Sequence, residues 1–214
     1  MLHVFDMDGT LLRNTTASLE ISRHLECLSD ITNLENQFEQ SILSTQQFAQ
    51  EVFKLWSTLL DSDVEHVFDN SPWIQDIHKV LSDIQKKGEH SIVITMSPNF
   101  FANKLKKFGF NQVYSSIFPT LPFSDPIDVS RILTPHDKVK ITQKVLKDLG
   151  LNKTECIAYG DSGSDIPLFQ YIQKNIAING TESLTHLAKV KYTGNNLFDA
   201  YQLSRSNFID GVNI

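Results

Sequence analysis

The chain has 214 residues, with 25 acids against 19 bases and a net charge of −6. With 41% hydrophobic and 21% charged residues it is an ordinary packed chain, long enough for one core carrying a smaller inserted lobe. The acidic balance excludes a general nucleic-acid binder, and no stretch approaches the roughly 18–20 apolar residues of a membrane helix.

Leu2–Phe5 is a short apolar run that ends at Asp6-Met7-Asp8-Gly9 and reads as a buried strand entering a loop. The N-terminus has neither the basic region nor the long apolar stretch of a signal peptide. The expected location is therefore cytoplasmic, with Cys27 and Cys156 as thiols. From about Thr15 the pattern turns helical, with Ala17, Ile21, Leu25 and Leu28 on one face. Phe48, Val52, Trp56 and Leu59 predict a second helix, and Asp63 to Phe68 a short third. The aromatics Phe38, Phe48, Phe53, Trp56, Phe68 and Trp73 are expected to form the core of these helices rather than a pocket.

Pro72 predicts the start of a helix running to about Lys87, closed by Gly88. Ser91–Thr95 follows as a strand, then a helix from Pro98 to Phe108 capped by Gly109, then a short strand at Val113-Tyr114. Residues 117–134 hold three prolines and read as an irregular excursion or a hairpin. A helix from Pro135 to Leu149 ends at Gly150, Cys156–Tyr159 is a strand, and Ile176–Ile178 is the last clear one. Strands alternating with helices predict an α/β fold with a Rossmann-like parallel sheet.

Charge divides the chain. Residues 13–70 hold ten acids and three bases, so this segment carries −7 and the rest +1. The expected organisation is a core of 1–13 and 71–214, with 14–70 inserted as an all-helical lobe.

Open parallel sheets bind ligands at the carboxyl ends of their strands, where this sequence places its polar residues. Asp6 and Asp8 follow the first strand, and Gly9 permits a tight turn between them and the lobe. Such a pair provides a nucleophile for phosphorus and a general acid/base. An EF-hand loop is excluded, because its sixth and twelfth positions would be Leu11 and Ala17. Asp161 and Asp165 follow a later strand and, with Asp6, form a set of oxygen ligands suited to Mg²⁺. Thr95 ends a strand and offers a hydroxyl and following N–H groups to phosphate, whereas Ser97 reads as a helix cap. Lys138 is a candidate to neutralise phosphate and the clustered acids, with Lys140 as competitor. The seven histidines show no paired spacing for zinc.

Together these pieces resemble the haloacid dehalogenase superfamily of phosphohydrolases, in its phosphoserine-phosphatase-like branch. Asp6-Met7-Asp8-Gly9-Thr10 resembles the first family motif, Ile94-Thr95-Met96-Ser97 the second, Lys138 the third and Gly160–Asp165 the fourth. The resemblance implies Asp6 as nucleophile and Asp8 as acid/base, with Thr95, Met96 and Lys138 binding phosphate. It implies Mg²⁺ held by Asp6, Asp161, Asp165 and the backbone carbonyl of Asp8, and it makes segment 14–70 a type-1 cap. Relatives in that branch hold an amino-acid head group with an acid soon after the first motif and a cap arginine. Here Thr15 and Thr16 occupy the first place, and no arginine lies between Arg23 and Arg131.

The expected activity is Mg²⁺-dependent hydrolysis of a small phosphomonoester through an aspartyl phosphate. An acidic lid favours a neutral or amine-bearing leaving group over a carboxylate or polyphosphate. A phosphomutase or phosphotransferase on the same scaffold, or a non-catalytic metabolite binder, are the alternatives. A dehalogenase would need neither Asp8 nor the Asp161/Asp165 pair.

Overall fold

The computed structural model describes residues 1–210. The chain begins with β1 (Leu2–Phe5), followed by two short segments, β2 (Asp8–Gly9) and β3 (Leu12–Arg13). Four helices come next: α1 (Ala17–His24), α2 (Leu28–Glu39), α3 (Thr45–Leu55) and α4 (Asp61–Asn70). Then come α5 (Ile77–Lys86), β4 (His90–Pro98), α6 (Asn99–Ala102) and β5 (Gln112–Ser116). The remainder is α7 (Pro135–Leu149), β6 (Cys156–Gly160), α8 (Ile166–Tyr171), β7 (Asn175–Ile178), α9 (Glu182–Thr185), β8 (Val190–Tyr192) and α10 (Leu197–Phe208).

Six strands form one parallel sheet in the order β5-β4-β1-β6-β7-β8. The chain builds outward from β1 to β5, then returns through α7 to place β6 on the other side of β1. That reversal opens a crevice at the carboxyl ends of β1 and β6, the ordinary ligand site of such sheets. The predicted α/β class with a parallel Rossmann-like sheet is what the chain adopts.

The central strand is buried on both faces. Leu2 and Val4 pack with Ile92, Ile94, Val145 and Ala158, while Phe5 joins Val93, Ile157 and Tyr159 on the opposite face. This second cluster continues without a break into the helical segment through Met7, Leu11, Ile21, Trp56 and Phe68. Trp56 is fully buried and donates its indole N–H to Ser22 Oγ at 2.8 Å. Trp56 and Phe68 are thus core residues, and Phe53 packs on Phe123 with ring centroids 4.6 Å apart.

Several predicted boundaries are corrected. The first helical run is two helices, because Glu26 at φ 58° breaks the chain between α1 and α2. Leu28, more than a third exposed, does not share the buried face of Ala17 and Ile21. Pro72 does not open a helix. Trp73 and Gln75 make isolated bridges to Leu12 and Asn196, and α5 starts at Ile77 behind Asp76, which is left-handed at φ 62°. Pro98 ends β4 instead of starting the following helix, which finishes as a 3₁₀ turn. Residues 117–134 form no hairpin, only one short 3₁₀ turn at Val129–Arg131. The edge strand β8 and the helix α10 lie beyond the last predicted strand. No helix among the described residues is long and apolar enough to cross a membrane. Cys27 and Cys156 are free thiols.

A buried polar seam lies behind β1. The fully buried His3 is 2.9 Å from Glu89 Oε2 through Nε2, and 3.0 Å from the Tyr159 hydroxyl through Nδ1. Glu89 also accepts from Arg205 on α10, at 2.9 Å. Because Glu89 is an acceptor, the neutral ring places its hydrogen on Nε2 and accepts from Tyr159 at Nδ1. Burial pushes the imidazole below its ordinary 6.5, against the opposing pull of Glu89. The folded chain then binds fewer protons here than the unfolded chain, so this contribution is complete above pH 6.5 and is lost on acidification. We expect the unfolding free energy of wild type, from urea titrations, to fall more steeply than that of His3→Gln from about pH 7 to 5.5, by at most about 1.4 kcal/mol per pH unit. Taking the difference between the two proteins cancels the site carboxylates, whose raised values act in the opposite sense. Parallel free-energy curves would refute the assignment of a neutral buried His3.

Candidate active site

The site is assembled at the carboxyl end of the sheet. Asp6 directly follows β1 and is fixed by its N–H, which donates to Tyr159 O at 2.9 Å. Two residues on, Asp8 lies in the turn formed by β2 and β3. Asp161 and Asp165 follow β6, the neighbour of β1. Lys138 comes from the first turn of α7. That turn is fixed by Pro135 at its start and by Asp137, whose Oδ2 accepts from Thr134 N at 2.9 Å.

Glycines make the close approach possible. At Gly9, where φ is +78°, a Cβ would lie 2.1 Å from Asp161 Oδ2. At Gly160 a Cβ would lie 2.4 Å from the Asp165 carboxylate. Neither position tolerates a side chain unless an acid moves.

Lys138, only 1% exposed, holds the centre. Its Nζ donates to Asp6 Oδ1 at 2.7 Å, to Asp165 Oδ1 at 2.6 Å and to Ser164 Oγ at 3.2 Å. Lys140 instead pairs with Asp137 at the surface. The other oxygen of Asp165 accepts from the N–H of Asp161 at 3.1 Å, which ties the loop after β6 to itself. Asp8 is held separately. Its Oδ1 accepts from Ala17 N at 2.7 Å, and its Oδ2 accepts from Thr95 Oγ1 at 3.0 Å and Ser97 Oγ at 2.7 Å.

Asp6, Asp8, Thr95, Lys138, Asp161 and Asp165 meet here, although Thr95 is placed differently from its simplest reading. Its hydroxyl is turned onto Asp8 and also accepts from Ser97 N at 3.0 Å. The pairing of β4 with β5 shifts register between Ile94 and Pro98, and that irregularity brings Thr95, Met96 and Ser97 to the crevice. Ser97 and Ser164 are polar contacts of the site that sequence reasoning did not select. Ser97 lies two residues beyond Thr95 within the second motif, at a position that suits a helix cap. Ser164 sits inside the Gly160–Asp165 loop, hidden among ordinary loop residues.

The electrostatics are unbalanced. Burial raises the Asp6 carboxyl well above the usual carboxylate range, and the charge of Asp165 adds to this while Lys138 opposes it. Burial, again reinforced by Asp165, pushes Asp161 up to about 7. Asp8 is also raised by burial, against its three hydrogen bonds. Burial works against the charged Lys138 too, but Asp165 and Asp6 outweigh it and raise its value. One ammonium thus serves several acids, and like charges in a buried space resist ionising together. Asp6, Asp161 and Asp165 each offer one oxygen, all within 4.8 Å of one another. This hard-oxygen set with surplus negative charge fits a divalent cation such as Mg²⁺.

The chain is similar to several known proteins. The phosphoserine phosphatase of Methanocaldococcus jannaschii is 23% identical over 178 residues, covering 82% of this chain and 84% of that one. A crystal structure of a haloacid dehalogenase-family hydrolase from Salmonella enterica serovar Typhi superposes with a TM-score of 0.81 at 20% identity, covering 92% of this chain and 69% of that one. A substrate-bound phosphoserine phosphatase gives a TM-score of 0.79 at 18% identity, covering 94% and 97%. Residues 3–170 match the haloacid dehalogenase-like hydrolase family, and the chain belongs to that family.

Proposed function

We propose that the chain is a Mg²⁺-dependent phosphatase of small phosphomonoesters that works through an aspartyl phosphate. The observation that carries this reading is the convergence of Asp6 and Asp8 with Lys138, Asp161 and Asp165 at the switch point of the sheet. Membership of a hydrolase family and similarity to phosphatases support a phosphoric monoester hydrolase.

Asp6 attacks phosphorus in line, forming the carboxylate–phosphorus bond as the ester oxygen–phosphorus bond breaks. Asp8, protonated, gives its proton to the departing alcohol. It then takes a proton from the water that attacks the aspartyl phosphate, releasing inorganic phosphate and restoring Asp6. Lys138, Thr95 and the backbone at Met96 hold the phosphoryl oxygens. Asp6, Asp161, Asp165 and the Asp8 carbonyl would hold Mg²⁺, which would offset charge on the phosphoryl group.

Segment 14–70 serves as the lid of a core made from 1–13 and 71–214. Closure over the site is consistent with Asp6 being only 5% exposed. Water exclusion keeps solvent from competing with Asp6 for phosphorus during the first transfer. The acidic surplus of the lid favours a neutral or amine-bearing leaving group.

Phosphate release from an aryl phosphate should require added Mg²⁺ and be lost with EDTA. Asp6→Asn should lower kcat by at least about 10³-fold while keeping the wild-type circular dichroism spectrum. Unaltered turnover in that variant rules out Asp6 as nucleophile. Ser97→Ala removes a hydrogen bond that orients the proton donor. Its kcat/KM should fall about tenfold for an alkyl phosphate, whose leaving oxygen needs a proton, and much less for p-nitrophenyl phosphate. Equal losses on both esters would mean that Ser97 acts on the fold rather than on proton delivery.

A further inference from the structure

Segment 13–70 has ten acids, and their surroundings differ. Glu20, Glu51, Asp63, Glu65 and Asp69 each pair with a basic side chain. Glu26, Asp30, Glu39 and Asp61 are exposed to water. Glu35 alone is partly buried with no ion-pair partner among the described residues. It lies one turn along α2 from Ile31, which is fully buried, so it occupies the inward stripe of that helix.

Its surroundings point toward the reacting centre. Glu35 Oε1 accepts from the Thr16 hydroxyl at 2.5 Å. Thr16 caps α1, and the next residue, Ala17, donates its N–H to Asp8 Oδ1 at 2.7 Å. Two hydrogen bonds and one stretch of backbone therefore connect Glu35 to the proposed proton donor. Burial, resisted by the Thr16 hydrogen bond and reinforced by the charge of Asp8, pushes the Glu35 carboxyl up to about 7. Among the described residues none supplies this carboxyl with a compensating charge.

We infer that Glu35 is a specificity-determining residue that receives a cationic, amine-bearing group on the leaving alcohol of the substrate. This rests on the phosphatase reading. With phosphorus at Asp6 and the ester oxygen at Asp8, the alcohol portion extends toward Thr16 and Glu35. An ammonium there brings opposite charge and N–H donors to a carboxylate that lacks both. A carboxylate on the substrate would meet repulsion from Glu35 and Asp8 together.

The test compares two esters of nearly equal size, 2-aminoethyl phosphate and n-propyl phosphate, with p-nitrophenyl phosphate as a reference, on the full chain with Mg²⁺. Wild type should favour the amino ester in kcat/KM by about tenfold or more, and Glu35→Gln should abolish that ratio. Glu35→Lys should reverse the preference, favouring phosphoglycolate over 2-aminoethyl phosphate. Turnover of the reference ester without an amine preference in wild type overturns the Glu35 inference alone. The same holds if Glu35→Gln slows both alkyl esters equally and keeps their ratio. No turnover of any of the three esters overturns the phosphatase reading, and the Glu35 inference falls with it.

Discussion

The ammonium of Lys138, within 2.7 Å of both Asp6 and Asp165, is the constraint around which the site is arranged. It joins three separate parts of the chain: the end of β1, the loop after β6 and the first turn of α7. An isolated buried charge of either sign is costly, so each partner depends on the others. Removing the lysine would leave two buried acids unpaired, and removing either acid would leave the lysine with half its compensation. The small residues around it serve the same end, since Gly9 and Gly160 leave room for carboxylates where a Cβ would collide.

This balance also explains why the site is chemically responsive. A single positive charge does not neutralise Asp6, Asp161 and Asp165, and burial raises Asp6 and Asp161 above the ordinary carboxylate range. Asp8 adds its charge to that competition but has no ion-pair partner of its own among the described residues. It is bound instead by Ala17, Thr95 and Ser97, which fixes its carboxylate direction without giving it a cation. Two acids two residues apart thus have different surroundings, one ion-paired and one held by neutral donors. Different surroundings are what allow similar carboxyl groups to take nucleophilic and proton-transfer roles.

Much of this was legible in the sequence, for identifiable reasons. Asp6, Asp8, Asp161 and Asp165 stand where apolar strands stop, and strand ends are readable from hydrophobic runs. Pro135 and Gly150 mark the limits of α7 and so locate Lys138. The break between α1 and α2 was not legible, because a left-handed glutamate, Glu26, makes it in place of glycine or proline. The extended path after Pro72 depends on bridges to Leu12 and Asn196, partners that no local pattern reveals. Ser97 looks like any serine near a helix start. Its contact with Asp8 arises only from the irregular pairing of β4 with β5.

The unbroken hydrophobic cluster shared by the helical segment and the sheet has a mechanical consequence. Trp56, Val64 and Phe68 are rooted in the same apolar mass as Phe5 on the central strand. Lifting the whole helical segment would wet many large side chains, at about 1.5–3 kcal/mol each. Helix α2 contributes only Ile31 to the fully buried set. A doorway hinged on that one helix therefore exposes far less apolar surface than a swing of all four.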